Sequence, residues 1–187
     1  MRKGFTLIEL LVAISIFSVV IIIAVGAVLA LARAADRSQA ILTAINNLDF
    51  AMEQMSRTMR VSGSFYCSEG VHPISERTKD CTWHSGKSAL SFTDKDEHRL
   101  IYRLNRTKGS LDRENLSDIP HRTFSITAPE ILIESLVFNV FGSSISDAKQ
   151  PRVLIRIKGR TRIPTLAEKD QVSFDLQTTV SQRDPDF

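Results

Sequence analysis

The sequence has little charge near its beginning and few cysteines anywhere. Residues 10–32 contain no Asp, Glu, Lys or Arg, and the chain of 187 residues has only two cysteines. As a helix, the uncharged run would be about 35 Å long, which is enough to cross a bilayer. It is too long for the apolar region of a cleaved secretory signal, which spans about 7–15 residues. The missing charges therefore predict a membrane anchor.

The chain also lacks the residue groups from which enzyme sites are built. No Ser/His/Asp set, metal-activating pair or cofactor fingerprint stands out in the sequence. Residues 85–88 end like a phosphate-binding loop, but Cys81 stands where that motif needs glycine. We therefore expect no catalytic activity, no cofactor and no small-molecule substrate.

The remaining composition is that of one globular domain. Hydrophobic residues make up 43% of the chain and charged residues 24%, and the part after residue 32 has the size of a single domain. The net charge of +3 is too small to indicate a polyanionic partner. Arg2 and Lys3 precede the apolar run, and positive residues in this place tend to stay in the cytoplasm. The domain is therefore expected outside the cytoplasm.

Three hypotheses explain residues 1–32. In the first, the segment is a secretory signal with an A-x-A match at residues 30–32. In the second, it is a plain anchor helix, and Glu9 lies near the interface because a carboxylate deeper in lipid costs about 2.5 kcal/mol or more. In the third, a short leader is removed and the helix then enters a filament.

The third hypothesis comes from a resemblance. The run GFTLIELLVA at residues 4–13 resembles the N-terminal motif of the type IV pilin and type II secretion pseudopilin superfamily. The resemblance implies that residues 1–4 are a leader, that prepilin peptidase cleaves between Gly4 and Phe5, and that Phe5 is then N-methylated. It also implies that the helix packs with other pilin or pseudopilin subunits at an inner-membrane assembly platform.

The same cleavage would give Glu9 a partner. A new amine on Phe5 would lie one helical turn before Glu9, on the same face of the helix. A buried charge is tolerated when it is paired. The resemblance implies that the amine belongs to a neighbouring subunit, so that Glu9 makes an assembly charge contact. Pairing within one chain stays open, because helical side chains lean toward the N-terminus.

The helical pattern continues beyond the apolar run. Pro73 is the first proline of the chain, and Gly63 is the predicted stop signal. We therefore predict one helix over residues 5–62, with a transmembrane or filament-core part at 5–32 and an amphipathic part at 33–62. We expect the amphipathic part to pack on the chain's own sheet. Its apolar stripe consists of Ile41, Ile45, Leu48, Met52, Met55 and Met59.

After residue 62 the pattern changes to short alternating runs, separated by stretches rich in Gly, Pro, Asp, Asn and Ser. One long helix followed by strands predicts an α+β fold, in which the helix covers an antiparallel β-sheet head formed by residues 63–187. The candidate strands are residues 89–93, 99–104, 131–141, 152–158 and 172–180.

The head resembles one subgroup of the superfamily. The run IYRLNRTKGSLDREN at residues 101–115 is similar to a hairpin of the larger minor pilins and J-type pseudopilins. The runs LVFNVFG and FDLQTTVSQRD are similar to later strands of that group. The resemblance therefore implies a minor subunit of this J-type kind.

Cys67 and Cys81 could form a disulfide, bind zinc or remain unpaired thiols. In an exported compartment the thiols are expected to form a disulfide, and closing a loop of about fifteen residues contributes roughly 3 kcal/mol. Together with His72 and His84 they could bind zinc, but the spacing is not that of a common zinc module. Residues 94–97 contain three acids without the rest of an EF-hand pattern, so we interpret them as a solvated turn. We expect the disulfide and no metal.

The predicted strand at residues 152–158 starts a run that is basic on one face. Its apolar residues Val153, Ile155 and Ile157 alternate with basic ones. The basic residues are Arg152, Arg156, Lys158, Arg160 and Arg162. A solvated sheet face, an acidic neighbour in a filament and DNA each fit this pattern. Because no aromatic residues are interleaved for base stacking, a nucleic-acid partner is not expected.

Together these features predict a minor pilin or pseudopilin of a type IV pilus or a type II secretion pseudopilus. The precursor would cross the cytoplasmic membrane once, with its head outside the cytoplasm, and would later enter an extracytoplasmic filament. The alternative is a membrane-anchored exported binding domain that does not polymerise.

Overall fold

The computed structural model of the chain describes residues 4, 6–69, 79–82, 86–144, 149–162 and 171–183. Within these residues the chain forms one helix and eight β-strands. It divides into two compact units, Met1–Ala40 and Ile41–Phe187. The helix begins in the first unit and ends in the second.

The helix, α1, comprises Leu7–Arg60. The sequence predicts residues 5–62, so each end differs by two residues. Glu9 lies in the first turn, and Arg57 and Arg60 lie in the last turn. An acid at the N-terminus and bases at the C-terminus both interact favourably with the helix dipole. The local sequence therefore supports both ends of this long element.

The first sheet is antiparallel, and its five strands follow each other in chain order. The turn between the third and fourth strands contains Gly109, whose φ of 66° suits glycine because it has no Cβ. The strands are β1 (Gly63–Ser68), β2 (Ala89–Thr93), β3 (Arg99–Asn105), β4 (Ser110–Asn115) and β5 (Arg122–Ser125).

The second sheet has three antiparallel strands in the order β6-β7-β8. They are β6 (Ile131–Phe141), β7 (Arg152–Thr161) and β8 (Ser173–Ser181). Gly159 of β7 lies where there is no room for a side chain. A Cβ at this position would be 2.3 Å from the carbonyl oxygen of Leu132 and 2.7 Å from Cζ of Phe174.

A short segment joins the two sheets edge to edge. We call residues 79–82 and 86–88 the linking segment. Lys79 exchanges backbone hydrogen bonds with β1, and Cys81 and Lys87 exchange them with β6. One edge of each sheet is therefore paired through the same segment.

The core of the second unit lies between one face of α1 and the two sheets. Leu48, Met55 and Met59 are fully buried, which confirms the second half of the predicted apolar stripe as core. The prediction is wrong at Ile45, which is 49% exposed, while the small side chain of Ala44 is buried next to it. Three aromatic rings pack in sequence: Phe65 lies 6.0 Å from Phe92, and Phe92 lies 5.4 Å from Tyr102, measured between ring centroids. The long helix and the antiparallel sheets confirm the predicted α+β fold.

Candidate functional site

The residues singled out at the N-terminus meet at the beginning of α1. Thr6 precedes the first helical residue and acts as its N-cap. The backbone N–H of Thr6 donates to Oε2 of Glu9 at 3.0 Å, and the Thr6 hydroxyl donates to the same oxygen at 2.8 Å. The backbone N–H of Glu9 donates in return to the Thr6 hydroxyl oxygen at 3.4 Å. This reciprocal arrangement is a capping box.

The capping box uses only one of the two carboxylate oxygens of Glu9. Both bonds from Thr6 go to Oε2, and Oε1 accepts none from the residues that the structure describes. The Glu9 side chain is exposed. Because each carboxylate oxygen has its own acceptor sites, Thr6 can hold Glu9 in place while Oε1 binds an external cation.

Gly4 and Phe5, the predicted cleavage residues, lie directly before the capping box. Gly4 is exposed, and a Cβ added to it would meet no atom within 4 Å. Phe5 lies outside the described residues. On the Gly4 side, the bond between the two residues is therefore sterically accessible.

Beyond the capping box, α1 presents apolar side chains that nothing in the first unit covers. Every residue from Leu7 to Ala32 is exposed. Among the described residues, α1 is the one helix that is long and apolar enough to cross a membrane. Burying such surface contributes about 25 cal/mol per Å². Lipid or other apolar helices would therefore stabilise this part of α1.

The two serines of the apolar part bond within the helix. The Ser15 hydroxyl donates to the Leu11 carbonyl and the Ser18 hydroxyl donates to the Ile14 carbonyl, both at 2.8 Å. Such bonds to residue i−4 satisfy a hydroxyl without water. The serines are therefore compatible with lipid.

The two cysteines lie in the head. Cys67 of β1 is bonded to Cys81 of the linking segment, with the Cα atoms 6.1 Å apart. Both side chains are buried. The disulfide therefore crosses the seam between the two sheets. His72 and His84, the other residues of the zinc alternative, lie outside the described residues.

The basic face of β7 is partly neutralised inside its own sheet. Lys158 Nζ lies 2.7 Å from a carboxylate oxygen of Asp175 on β8, and Arg160 Nε lies 3.2 Å from one of Glu134 on β6. The buried residues of the strand include the three predicted ones, Val153, Ile155 and Ile157. The predicted alternation is therefore confirmed, and acidic neighbours are present within the chain itself.

The acidic run after β2 forms a turn. Ligand-type atoms of Asp94, Asp96 and His98 lie within 4.8 Å of one another. However, Oδ1 of Asp94 accepts the backbone N–H groups of Asp96 at 2.9 Å and of His98 at 2.8 Å. These bonds are those of an Asx-type turn, in agreement with the interpretation as a solvated turn.

The N-terminal segment also matches a known motif. Residues 1–25 match the family model described as the prokaryotic N-terminal methylation motif. In these residues the chain is similar to the N-terminal segment of type IV pilin-like prepilins. No curated protein and no solved structure matches the chain.

Thr6 is the residue of this N-terminal site that was not predicted from the sequence. The signal for it is present, because T-x-x-E directly before an apolar run is the pattern of a capping box. The resemblance draws attention to the charge of Glu9 and not to its hydrogen bonds within the chain.

Proposed function

We propose that the protein is a minor pilin or pseudopilin, a structural subunit without catalytic activity. Prepilin peptidase cleaves it between Gly4 and Phe5, Phe5 is N-methylated, and α1 enters a type IV pilus or a type II secretion pseudopilus. The methylation motif at residues 1–25 carries this proposal. The exposed apolar helix and the β-rich head support it.

In this proposal Glu9 makes the assembly charge contact. In the precursor the carboxylate accepts, from the residues that the structure describes, the two bonds from Thr6. Cleavage creates a positive amine on Phe5, and Oε1 of Glu9 in a neighbouring subunit accepts a charge-assisted hydrogen bond from it. Removing one partner of a buried ion pair costs about 3–5 kcal/mol. Glu9 therefore favours the entry of processed subunits into the filament over the entry of precursors.

The apolar part of α1 holds the subunit in the cytoplasmic membrane until assembly. The helix crosses once, with Arg2 and Lys3 on the cytoplasmic side and the head outside the cytoplasm. Transfer into the filament replaces lipid around the helix by the helices of other pilin or pseudopilin subunits. The proposed partners are these subunits, prepilin peptidase and the inner-membrane assembly platform.

The structure of the head supports the proposal that the protein is a minor subunit of the J-type kind. The run IYRLNRTKGSLDREN, which resembles a hairpin of that group, forms the paired strands β3 and β4. Tyr102 of this run is fully buried, next to the ring of Phe92. The alternative function, an exported binding domain that stays anchored in the membrane, uses the same head without polymerisation.

Intact mass and N-terminal sequencing of the protein from its native membrane test the processing step. The expected mature chain begins at Phe5 and carries one additional methyl group. Gly4→Val is expected to block processing, and Gly26→Val is the matched control, because a Cβ at either glycine meets no atom within 4 Å. A mature chain that begins at residue 33 would refute the filament hypothesis and support a secretory signal.

Filament entry of Glu9→Gln tests the charge contact. We expect the sheared filament fraction to contain at most about one tenth as much of this variant as of the wild type. The amount of the variant in the membrane should be unchanged. Glu53→Gln is the control, because Glu53 is an exposed acid on the same helix and pairs only with Arg57 among the described residues. Normal entry of Glu9→Gln would remove Glu9 as an assembly determinant. A wild-type chain that enters no filament would support the anchored binding domain.

A further inference from the structure

The wall of a cavity between β5 and β6 contains two cations that are unpaired among the described residues. The cavity has a volume of about 340 Å³, and Lys108 and Arg162 line it. Neither side chain forms an ion pair or hydrogen bond with any residue that the structure describes. By contrast, Lys158 and Arg160 on the neighbouring strand β7 have acidic partners. The two cations of the cavity therefore still attract an anion.

A buried hydroxyl in the same wall can also donate to an anion. Thr127 is only 5% exposed. Its hydroxyl oxygen accepts the backbone N–H of Leu111 at 3.1 Å, and its proton has no acceptor among the described residues. The neighbouring Ser125 hydroxyl donates to the Thr127 carbonyl and is thus occupied. Two cations and one buried donor suit a carboxylate, which accepts charge-assisted hydrogen bonds.

Within the part of the chain that the structure describes, no strand pairs with the outer edge of β5, the strand that leads to the cavity, so this edge is open. The N–H of Ile126 donates to the carbonyl of Leu111 at 2.9 Å, and this bond fixes the phase of the β4–β5 ladder. In an antiparallel ladder alternate residues bond the partner strand. Phe124 is therefore bonded to β4, whereas the N–H and C=O groups of Thr123 and Ser125 point to the open edge.

Exposed apolar side chains lie along the open edge of β5. All four residues of β5 are exposed, and the Phe124 residue is 59% exposed. Ile119, just before β5, is 95% exposed. An edge strand with exposed apolar residues is a template for pairing with another chain. An added strand would cover both the backbone groups and the ring of Phe124.

We propose that β5 pairs with an extended segment of a partner protein, and that an acidic group of this segment binds between Lys108 and Arg162. Ser125 belongs both to the open edge and to the wall of the cavity. A strand added about 4.8 Å from β5 therefore brings its side chains to the cavity mouth. A row of N–H and C=O groups complements a peptide backbone rather than a nucleic acid. The surface does not depend on filament entry by α1.

The test uses the full-length protein in detergent micelles and two fluorescent probe peptides. Both are short and alternate valine with threonine, but one ends in glutamate and the other in glutamine amide. We expect the acidic probe to bind about fivefold more tightly in fluorescence anisotropy, since a partly exposed ion pair gives an effect of this size. Lys108→Gln and Arg162→Gln are each expected to weaken the acidic probe about threefold. Arg152→Gln is the matched control, because Arg152 also has no ion pair among the described residues and lies at the other end of β7.

A second pair of variants tests the strand edge. Thr123→Pro removes an outward N–H, and proline is tolerated where a strand's N–H faces solvent. It is expected to weaken both probes, whereas Thr123→Ala keeps the N–H and should not. Equal binding of the two probes, or no binding at millimolar concentration, would overturn the proposal. A single-stranded oligonucleotide that binds more tightly than the acidic probe, and loses affinity in Arg162→Gln, would assign the cavity to phosphate and also overturn it.

Discussion

Thr6 and Glu9 bond each other in both directions: Thr6 donates twice to Oε2 of Glu9, and Glu9 donates once to the Thr6 hydroxyl. Glu9 therefore combines two roles, as the cap of a helix and as a negative charge near its N-terminus. Replacement of Glu9 by Ala changes both, whereas Gln keeps an acceptor for the cap and removes the charge. The two roles can be separated at Thr6, because this residue contributes to the cap and carries no charge.

Thr6→Val is expected to weaken the cap and keep the charge. The substitution removes the hydroxyl at constant size, and loss of an N-cap side chain costs about 1 kcal/mol. The N–H of Glu9 bonds the Thr6 hydroxyl and the N–H of Leu10 bonds the Thr6 carbonyl. Amide hydrogen exchange of Glu9 and Leu10 in full-length protein in micelles should therefore accelerate about fivefold. Thr6→Ser, which keeps the hydroxyl, is the control. Equal exchange in all three proteins would show that the capping box does not hold the first turn.

Loss of the disulfide is expected to destabilise the head. Cys67 and Cys81 are 14 residues apart in sequence, and a loop of this size contributes about 3 kcal/mol to the free energy of unfolding. The double variant Cys67→Ala/Cys81→Ala should lose about this amount in urea unfolding followed by circular dichroism. Reductant should lower the stability of the wild type equally and leave the double variant unchanged. Mass mapping without reductant should find Cys67 linked to Cys81, and two free thiols would contradict this.

Gly159→Ala is expected to destabilise the second sheet. Its Cβ would lie too close to the Leu132 carbonyl and to the ring of Phe174, and such overpacking costs about 1–3 kcal/mol. Gly63→Ala is the matched control, because the nearest atom to its Cβ is Nε2 of Gln182 at an ordinary 3.6 Å. Urea midpoints of the two variants measure the difference. Equal midpoints would mean that β7 can move to accept the methyl group.

The head is expected to lose stability in alkaline solution through Tyr102. Burial raises the pKa of Tyr102 above its ordinary value of 10.0, and the Thr58 hydroxyl and the Arg113 charge oppose this shift. The folded state therefore holds the Tyr102 proton more tightly than the unfolded state. Below the pKa of the unfolded state this difference does not reduce the free energy of unfolding, and the free energy of unfolding falls as pH rises through the pKa of the folded state. Unfolding measured from pH 9 upward should show this loss in the wild type and less of it in Tyr102→Phe. The same alkaline slope in both proteins would contradict the assignment.

Regular apolar periodicity made most elements predictable. The predicted helix differs from α1 by two residues at each end, and the predicted strands at 89–93 and 131–141 have the observed bounds of β2 and β6. The predicted strands that became β3, β7 and β8 differ by one to three residues at their ends. In β8 half-buried and exposed residues alternate, and the part of α1 after residue 43 buries one face, so in these elements the sequence has the period of the structure.

β4 was anticipated only through the hairpin that the resemblance implied. β1 and β5 were not predicted as strands, for two different physical reasons. In β1 the register shifts between Gly63 and Tyr66, and Ser64 has a φ of 53°, so the alternation is interrupted. In β5 every residue is exposed, so no apolar face marks the strand. Both depend on pairing with residues distant in sequence, which a local pattern does not contain.

The N-terminal site was predictable in part, and the cavity was not. Glu9 stands out because it is a charge directly before a long apolar run. Thr6 belongs to a recognisable four-residue pattern. Lys108 and Arg162, in contrast, lie far apart in sequence, and only the turn after β3 and the end of β7 bring them to one cavity.

Because Ser15 and Ser18 bond carbonyls of their own helix, the apolar part of α1 offers a neighbouring helix almost no directional contact. Aliphatic side chains of similar size recur along it, so a neighbour could shift by one turn, about 5.4 Å, at little cost in van der Waals energy. In a filament, the lengthwise position of each subunit would therefore be decided in the first turn, by the open oxygen of Glu9. The other residues of the apolar part would contribute packing energy but would not determine the lengthwise position of the subunit.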